Sequence, residues 1–384
     1  MVNGVATLAL DLGNSSTKAM VKFGNNKDGQ PRIKMFELSN CFGNIEEGMV
    51  QSYLNNETYK DETSRIFVHN GDTYCNGEIC MAEFGSVADR PTALEKKYES
   101  IISTLTLKNV LCKAYECLAE LTQNDIEGID VSWNFVVLLP PDDIESGSKA
   151  MAELIRGISE IEFLKPKLST DIRINKINIF PEGFAAFIAV LYTPAMAIRP
   201  GYEYLVADGI STLVVDIGAG TTDFMLIRGR NVVNSTRFTR EVGGNNVHQR
   251  LRRAMKQQGI TLSDTAAREG CETGFIYSGA KKYDVTAQIA QAKRQVSRQL
   301  VDAIKEFFED NMIPIQSINN ILICGGGAED TKAESIEPIS KYVFEFLQNV
   351  SKDIGLVELP IDEESGERAS SRLLNIMGAG ILAG

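Results

Sequence analysis

Histidine is nearly missing from this 384-residue chain: His69 and His248 are the only two. That scarcity excludes a histidine-rich metal centre and argues against a histidine general base. Cysteine occurs seven times, an odd number with no CxxC pair, so the thiols read as reduced and mostly structural, as expected of a cytoplasmic protein. Long hydrophobic runs are absent as well. None approaches the roughly 18 residues that a membrane span needs. Met1-Val2-Asn3-Gly4 enters a strand pattern directly, without the basic flank and apolar stretch of a secretion signal. Positive charge is in deficit, with a net charge of −12, which opposes broad contact with nucleic-acid phosphates. One stretch departs from this balance. Between Arg228 and Lys256, Arg228, Arg230, Arg237, Arg240, Arg250, Arg252, Arg253 and Lys256 face a single acid, Glu241. Such a run is either a solvated face or an interface for an acidic surface.

What the chain does contain is a repeated turn. Thr7-Leu8-Ala9-Leu10-Asp11-Leu12-Gly13-Asn14-Ser15-Ser16-Thr17-Lys18 and Thr212-Leu213-Val214-Val215-Asp216-Ile217-Gly218-Ala219-Gly220-Thr221-Thr222-Asp223 share one plan. An apolar strand ends in Asp-x-Gly, small residues follow, and a second strand leads away. A turn rich in Gly, Ser and Thr offers backbone N–H groups and hydroxyls to an anion without a bulky side chain in the way. An aspartate at the strand end suits hydrated Mg²⁺, which prefers carboxylate oxygens and keeps most of its water. A single Asp-x-Gly is also an ordinary turn signal. Two copies, each continuing into a third strand after Asp28-Gly29 or Gly229-Arg230, point to a duplicated domain that binds phosphates.

With 43% hydrophobic residues the chain has material for two cores. A small β-rich subdomain is expected within about 31–80, where Asn70-Gly71 marks a tight hairpin. Apolar periodicity predicts helices over 94–121, 150–164, 247–257, 284–310 and 340–350, and a short closing helix that ends near Gly380. Strands are expected over 131–139, 176–180 and 321–324. Glu182 opens an almost wholly apolar segment, 182–192, that reads as a buried helix. There the carboxylate either favours the positive end of the helix dipole or orients a water. The connection over 191–209 is longer than usual and reads as a polymer contact or, preferably, an idle surface loop.

Five features thus follow in order: a first Asp-x-Gly hairpin, Pro181-Glu182 before an apolar helix, a second Asp-x-Gly hairpin, a strand ending in Gly325-Gly326-Gly327, and a Gly-containing final helix. This order resembles the actin-like ATPase superfamily, with phosphate 1 at Asp11–Lys18, connect 1 at Glu182, phosphate 2 at Asp216–Asp223, the adenosine motif at Ile321–Glu329 and connect 2 at Asn375–Gly380. The Gly-Gly-Gly-Ala-Glu form and the Pro-Glu look most like the plasmid-segregation actins, the ParM and Alp group.

The resemblance implies an α/β, actin-like (ribonuclease H-like, duplicated) fold: two domains around a nucleotide cleft, each with a mixed five-stranded sheet. Domain I would span 1–207, closed by a C-terminal helix over about 372–384. Domain II would span 208–371, with a small subdomain at about 243–280. By the same resemblance Asp11 and Asp216 would hold Mg²⁺ through water and Glu182 would orient the attacking water. Gly13, Asn14, Ser15, Ser16, Thr17 and Lys18 would contact the phosphates, as would Gly218, Ala219, Gly220, Thr221 and Thr222. Gly243, Gly244 and Asn245 resemble the ribose-side loop, Gly325, Gly326, Gly327 and Ala328 would pack on the adenosine, and Glu272 would lie near the base. The implied function is a cytoplasmic, polymerising ATPase that uses ATP (GTP left open) and Mg²⁺. It would form filaments and reach plasmid DNA through a DNA-binding adaptor, without binding nucleic acid or membrane itself. A kinase or phosphatase on the same fold, or an MreB- or FtsA-type scaffold, stays open at this point.

Overall fold

A computed structural model describes residues 2–27, 29–60, 63–91, 96–328, 336–361 and 366–384; Asp28, Leu94 and Glu329 lie outside them. The chain divides into two compact units. One comprises Met1–Leu139, Asp143–Pro181 and Leu382–Gly384; the other comprises Pro140–Asp142 and Glu182–Ile381. The boundary differs from the expected 1–207 and 208–371, because the segment after Glu182 and most of the final helix belong to the second unit.

In the first unit the main sheet runs β10 (Arg173–Pro181), β7 (Ile129–Leu139), β1 (Val2–Leu12), β2 (Ser16–Asn25), β3 (Pro31–Ser39). The first three strands are parallel, and β1, β2 and β3 form an antiparallel meander. Leu8, Leu10, Val21, Phe135 and Val137 pack in one core with Val110, Leu111 and Tyr115 of α3 (Ile101–Thr122). The helix starts at Ser100, whose hydroxyl accepts from the Ile102 amide at 3.2 Å, satisfying a donor that the first turn leaves open. The expected start at 94 is therefore too early, and 96–100 form turn rather than helix.

A second, smaller sheet runs β4 (Gly43–Ile45), β6 (Asp72–Gly77), β5 (Ser64–His69), β8 (Glu160–Lys165), β9 (Leu168–Asp171). It carries the short helices α1 (Val50–Leu54) and α2 (Glu78–Glu83). Asn70 (φ 54°) and Gly71 (φ 87°) make the β5–β6 turn with both residues left-handed, as a two-residue hairpin demands. Two corrections arise here. β3 belongs to the main sheet, and the helix expected over 150–164 is α4 (Ile144–Arg156), followed by strand β8. Glu160 and Glu162 are exposed while Ile161 and Phe163 are buried, so the period after Gly157 is two, not 3.6.

The second unit repeats the first in order and direction. Its sheet runs β18 (Gly355–Leu356), β17 (Asn320–Cys324), β11 (Ser211–Ile217), β12 (Thr222–Arg228), β13 (Asn231–Val232), with β14 (Phe238–Arg240) also on β12. β18, β17 and β11 are parallel, and β11, β12 and β13 antiparallel. Every residue of β11 is buried, the pattern of a strand covered on both faces. On one face Leu213 and Val215 meet α6 (Gly244–Gln257), α8 (Thr286–Asp310) and α9 (Ile339–Gln348). On the other, Val214, Met225 and Leu322 meet α5 (Phe184–Leu191) and α10 (Leu374–Leu382). That second face explains why α5 and α10 go with this unit. α7 (Asp264–Thr273) and the ribbon β15 (Phe275–Ser278) and β16 (Lys281–Asp284) complete it.

The 191–209 connection is not idle. Leu205 is buried and Ile198, Tyr202 and Val206 pack beside it on the α5 face of the sheet. Nor is the basic run one bare patch. Arg252 pairs with Asp264, Arg250 reaches Gln295 and Gln299, and Arg240 lies over the Phe238 ring. All seven cysteines are buried and outside any disulfide. Among the described residues no helix is long and apolar enough to cross a membrane.

Candidate functional site

In the first unit the turn between β1 and β2 is held by its own backbone and by one asparagine. Asp11 is buried at the end of β1 and lies opposite Lys18 in the ladder, Nζ to Oδ2 3.4 Å. A Cβ on Gly13 would stand 2.6 Å from the Ser16 carbonyl oxygen, so the turn admits only glycine there. Asn40, which follows β3, donates from Nδ2 to the Gly13 carbonyl at 2.5 Å and from its amide to the Ser15 carbonyl at 3.1 Å. Its Oδ1 accepts from the buried Thr17 hydroxyl at 2.9 Å. Thr17 therefore points its hydroxyl into the protein, and Ser16 gives its own to Glu37. Asn14 and Ser15 form the open rim. Asn40 carried no sequence signal, because its role comes from a strand end that only the β2–β3 register brings to the turn.

The second turn has the same build with different charge. Asp216 is buried at the end of β11, and the ladder sets Asp223 opposite it where the first turn has Lys18. The Gly218 amide closes the turn on the Thr221 carbonyl at 2.8 Å. Thr222, the counterpart of Thr17, is also fully buried and donates to the Val242 carbonyl at 2.6 Å. One turn thus pairs an acid with a lysine, and the other pairs two acids. A lysine end suits phosphate oxygens directly, and a diacid end suits a cation.

Around the second turn the structure gathers most of the expected residues. The Gly244 and Asn245 amides donate to the Gly218 and Ala219 carbonyls at 3.0 and 2.7 Å. A Cβ on Gly243 would lie 2.7 Å from the Gly218 oxygen. The Gly327 amide reaches the Ile217 carbonyl at 2.7 Å. Gly325, at φ 92°, leaves 2.4 Å between a built Cβ and Asp216 Oδ1. Two of the three glycines are thus required by close approach to the phosphate-type turn itself, whereas Gly326 is exposed and uncrowded. Ala328 is buried behind them. Glu272 lies on α7, which packs mainly on α6 and β15.

Glu182 is buried and sits in the bend between β10 and α5, two residues before the helix begins. Gly183 takes φ 73°, and its would-be Cβ faces Met225 and Val214 at 3.2 and 3.3 Å. Its amide donates to Asn375 Oδ1 at 3.0 Å, while Asn375 Nδ2 donates to Asp216 Oδ2 at 2.6 Å. Asn375 is the second residue whose part in the site the sequence did not reveal beyond its place in the expected connect 2.

The model of the C-terminal domain of the archaeal MreB-like actin homologues matches residues 214–334, the stretch that holds the second turn and the triple glycine. No curated protein matches the chain by sequence. Solved structures match over its full length at low identity. An archaeal actin homologue, Ta0583, is 15% identical with a TM-score of 0.68, and the alignment covers 98% of each chain. The actin-like protein Alp7A is 16% identical with a TM-score of 0.68, covering 100% of this chain and 96% of its own. A 15-stranded ParM filament from Clostridium botulinum is 18% identical with a TM-score of 0.63, covering 98% of each. These matches show that the chain has an actin-like fold.

Proposed function

We propose that this protein is a polymerising actin-like ATPase that assembles filaments with ATP, loses them on hydrolysis, and serves the segregation of plasmid DNA. The observation that carries the reading is the duplicated hairpin: a buried aspartate at each central strand end, followed by a turn whose first glycine is crowded, a built Cβ standing 2.6 Å from the Ser16 carbonyl oxygen at Gly13 and 3.0 Å from the Thr221 carbonyl oxygen at Gly218. The two turns would grip a triphosphate jointly. Lys18 and the amides of the first turn would meet phosphate oxygens on one side, and the amides of Gly218 to Thr221 on the other. Bound Mg²⁺ would supply charge neutralisation at the phosphates, held through water by Asp11 and Asp216. The donor set fits that group. Among the described residues no three His, Cys, Asp or Glu side chains converge as a cage, and Mg²⁺ characteristically takes one or two carboxylates and keeps its waters. Glu182 would orient water toward the γ-phosphorus; phosphoryl transfer depends chiefly on such positioning and on charge stabilisation.

Relatives of the same fold support the choice of nucleotide and of assembly. Ta0583 has been solved with ADP and a Bacillus thuringiensis ParM with ATP, and the Clostridium botulinum ParM forms a filament. Head-to-tail contacts that do not close on themselves make such polymers. A differential contact energy of a few kcal/mol between nucleotide states, on the order of that in other population shifts, switches them. The net charge of −12 disfavours direct contact with DNA, so attachment would come through a separate DNA-binding adaptor.

Light scattering tests the reading: adding Mg-ATP should give a concentration-dependent rise that decays as ATP is spent. Glu182→Ala should retain the rise, release phosphate at least about tenfold more slowly and keep its filaments longer. Scattering that never rises, with phosphate passed to a small-molecule acceptor, would replace the filament by a kinase on the same fold. Wild-type phosphate release by Glu182→Ala would remove Glu182 from the mechanism.

A further inference from the structure

Asn375 holds two parts of the site with one carboxamide. Its Nδ2 donates to Asp216 Oδ2 at 2.6 Å, and its Oδ1 accepts from the Gly183 amide at 3.0 Å. The geometry fixes which end is nitrogen, because a carboxylate only accepts and a backbone amide only donates. The side chain is 7% exposed, beside Asp216 at 5% and Glu182 at 9%. A buried bond to a carboxylate is charge-assisted and therefore short and strong. The chain around Asn375 is anchored on both sides. Ser371 exchanges two hydrogen bonds with Gly325, its hydroxyl to the Gly325 carbonyl at 3.1 Å and its carbonyl from the Gly325 amide at 3.1 Å. Further on, Gly378 lies against the Ala185 carbonyl so closely that a built Cβ would stand 1.7 Å away. One segment, 371–378, thus touches the triple glycine, Asp216 and the bend that bears Glu182.

We infer that Asn375 is a positioning residue for the hydrolysis proposed above, on which the inference rests: it locks the Asp216 carboxylate and the Glu182 bend into one arrangement. The water-orienting group then cannot shift without disturbing the carboxylate that faces the hydrated cation, and the reverse holds too. A purely structural asparagine would hold α10 against the sheet and do no more. Under the positioning role, Asn375 contributes to the turnover step and to the response to Mg²⁺, not to nucleotide affinity as such.

The test uses the full chain with Asn375→Ala and Asn375→Asp, and starts from the wild type. The measurements are kcat and KM for Mg-ATP, the Mg²⁺ half-saturation of turnover, nucleotide affinity in EDTA by fluorescence, and the thermal midpoint without ligand. Asn375→Ala should lower kcat about tenfold or more, as small misplacements of reacting groups do, and raise the Mg²⁺ half-saturation about threefold or more. Nucleotide affinity in EDTA should stay within about twofold. Asn375→Asp keeps an acceptor for the Gly183 amide but sets a carboxylate against Asp216, so its Mg²⁺ dependence should also move, in either direction. It decides alone if Asn375→Ala proves too unstable to assay. Wild-type Mg²⁺ dependence in an assayable variant, or a fall in kcat matched by an equal loss of nucleotide affinity in EDTA, overturns the inference. A wild-type chain that binds no Mg-ATP overturns the ATPase reading and this inference with it; a competent wild type with unaltered variants overturns the inference alone.

Discussion

Single residues carry unusual weight where backbone meets backbone. Gly325 combines a left-handed φ of 92° with a built Cβ 2.4 Å from Asp216 Oδ1. Gly325→Ala should therefore cost about 1–3 kcal/mol in a denaturant melt and weaken nucleotide binding at least about tenfold in a fluorescence titration. Gly326, exposed and uncrowded within the protein, is the stability control: Gly326→Ala should leave the denaturant melt nearly unchanged. His69 gives a pH signature. Burial first, then the nearby Lys108 charge, pushes its pKa below the ordinary value of 6.5, and its Nδ1 finds no hydrogen-bond partner among the described residues. The folded state resists protonating this ring more than the unfolded state does. Stability should thus be full above pH 6.5 and fall as pH drops from 6.5 toward the depressed folded value. His69→Gln should flatten that part of the stability profile, as followed by thermal midpoint from neutral to mildly acidic pH.

At the scale of elements, what the sequence disclosed depended on whether a local signal agreed with the packing. β1, β2, β11 and β12 were legible because apolar runs ended in paired turn residues, and Asn70-Gly71 announced its hairpin by turn chemistry alone. The helix expected over 150–164 failed because Ile155, Ile158 and Ile161 keep a helical spacing across Gly157 even though the chain changes to a strand there. Pairing with β9 on one side and with β5, far away in sequence, on the other selects the alternating face of 160–165. Asn40 and Asn375 were hidden for a related reason. Their contacts join segments that are distant in the chain, and a lone asparagine in a sequence gives no hint of its partners. The close approach of α10 to α5 supplies a test at this scale. Gly378→Ala would drive a methyl into the Ala185 carbonyl, so it should destabilise the second unit by about 1–3 kcal/mol. The readout is hydrogen exchange in α5 and α10, which should quicken while exchange in α3 of the other unit stays slow.

For the molecule as a whole, two compact units with matching sheets set the expectation of more than one unfolding transition. Ligand linkage is still measurable. If the protein binds nucleotide as proposed, Mg-ATP at a hundred times its dissociation constant should add about 2.7 kcal/mol to the folded state and raise the thermal midpoint visibly. A saturating addition that left every transition in place would contradict the nucleotide-binding reading. The small sheet of the first unit has a consequence for biosynthesis. β4, β5 and β6 leave the ribosome long before β8, which pairs on the remaining side of β5 and carries β9 at its own outer edge. Throughout that interval the edge of Ser64–His69 is unzipped, with Ile66 and Phe67 lacking the neighbour that later covers them. The nascent chain is open there, both to a holding chaperone and to mispairing with another copy emerging from the same polysome.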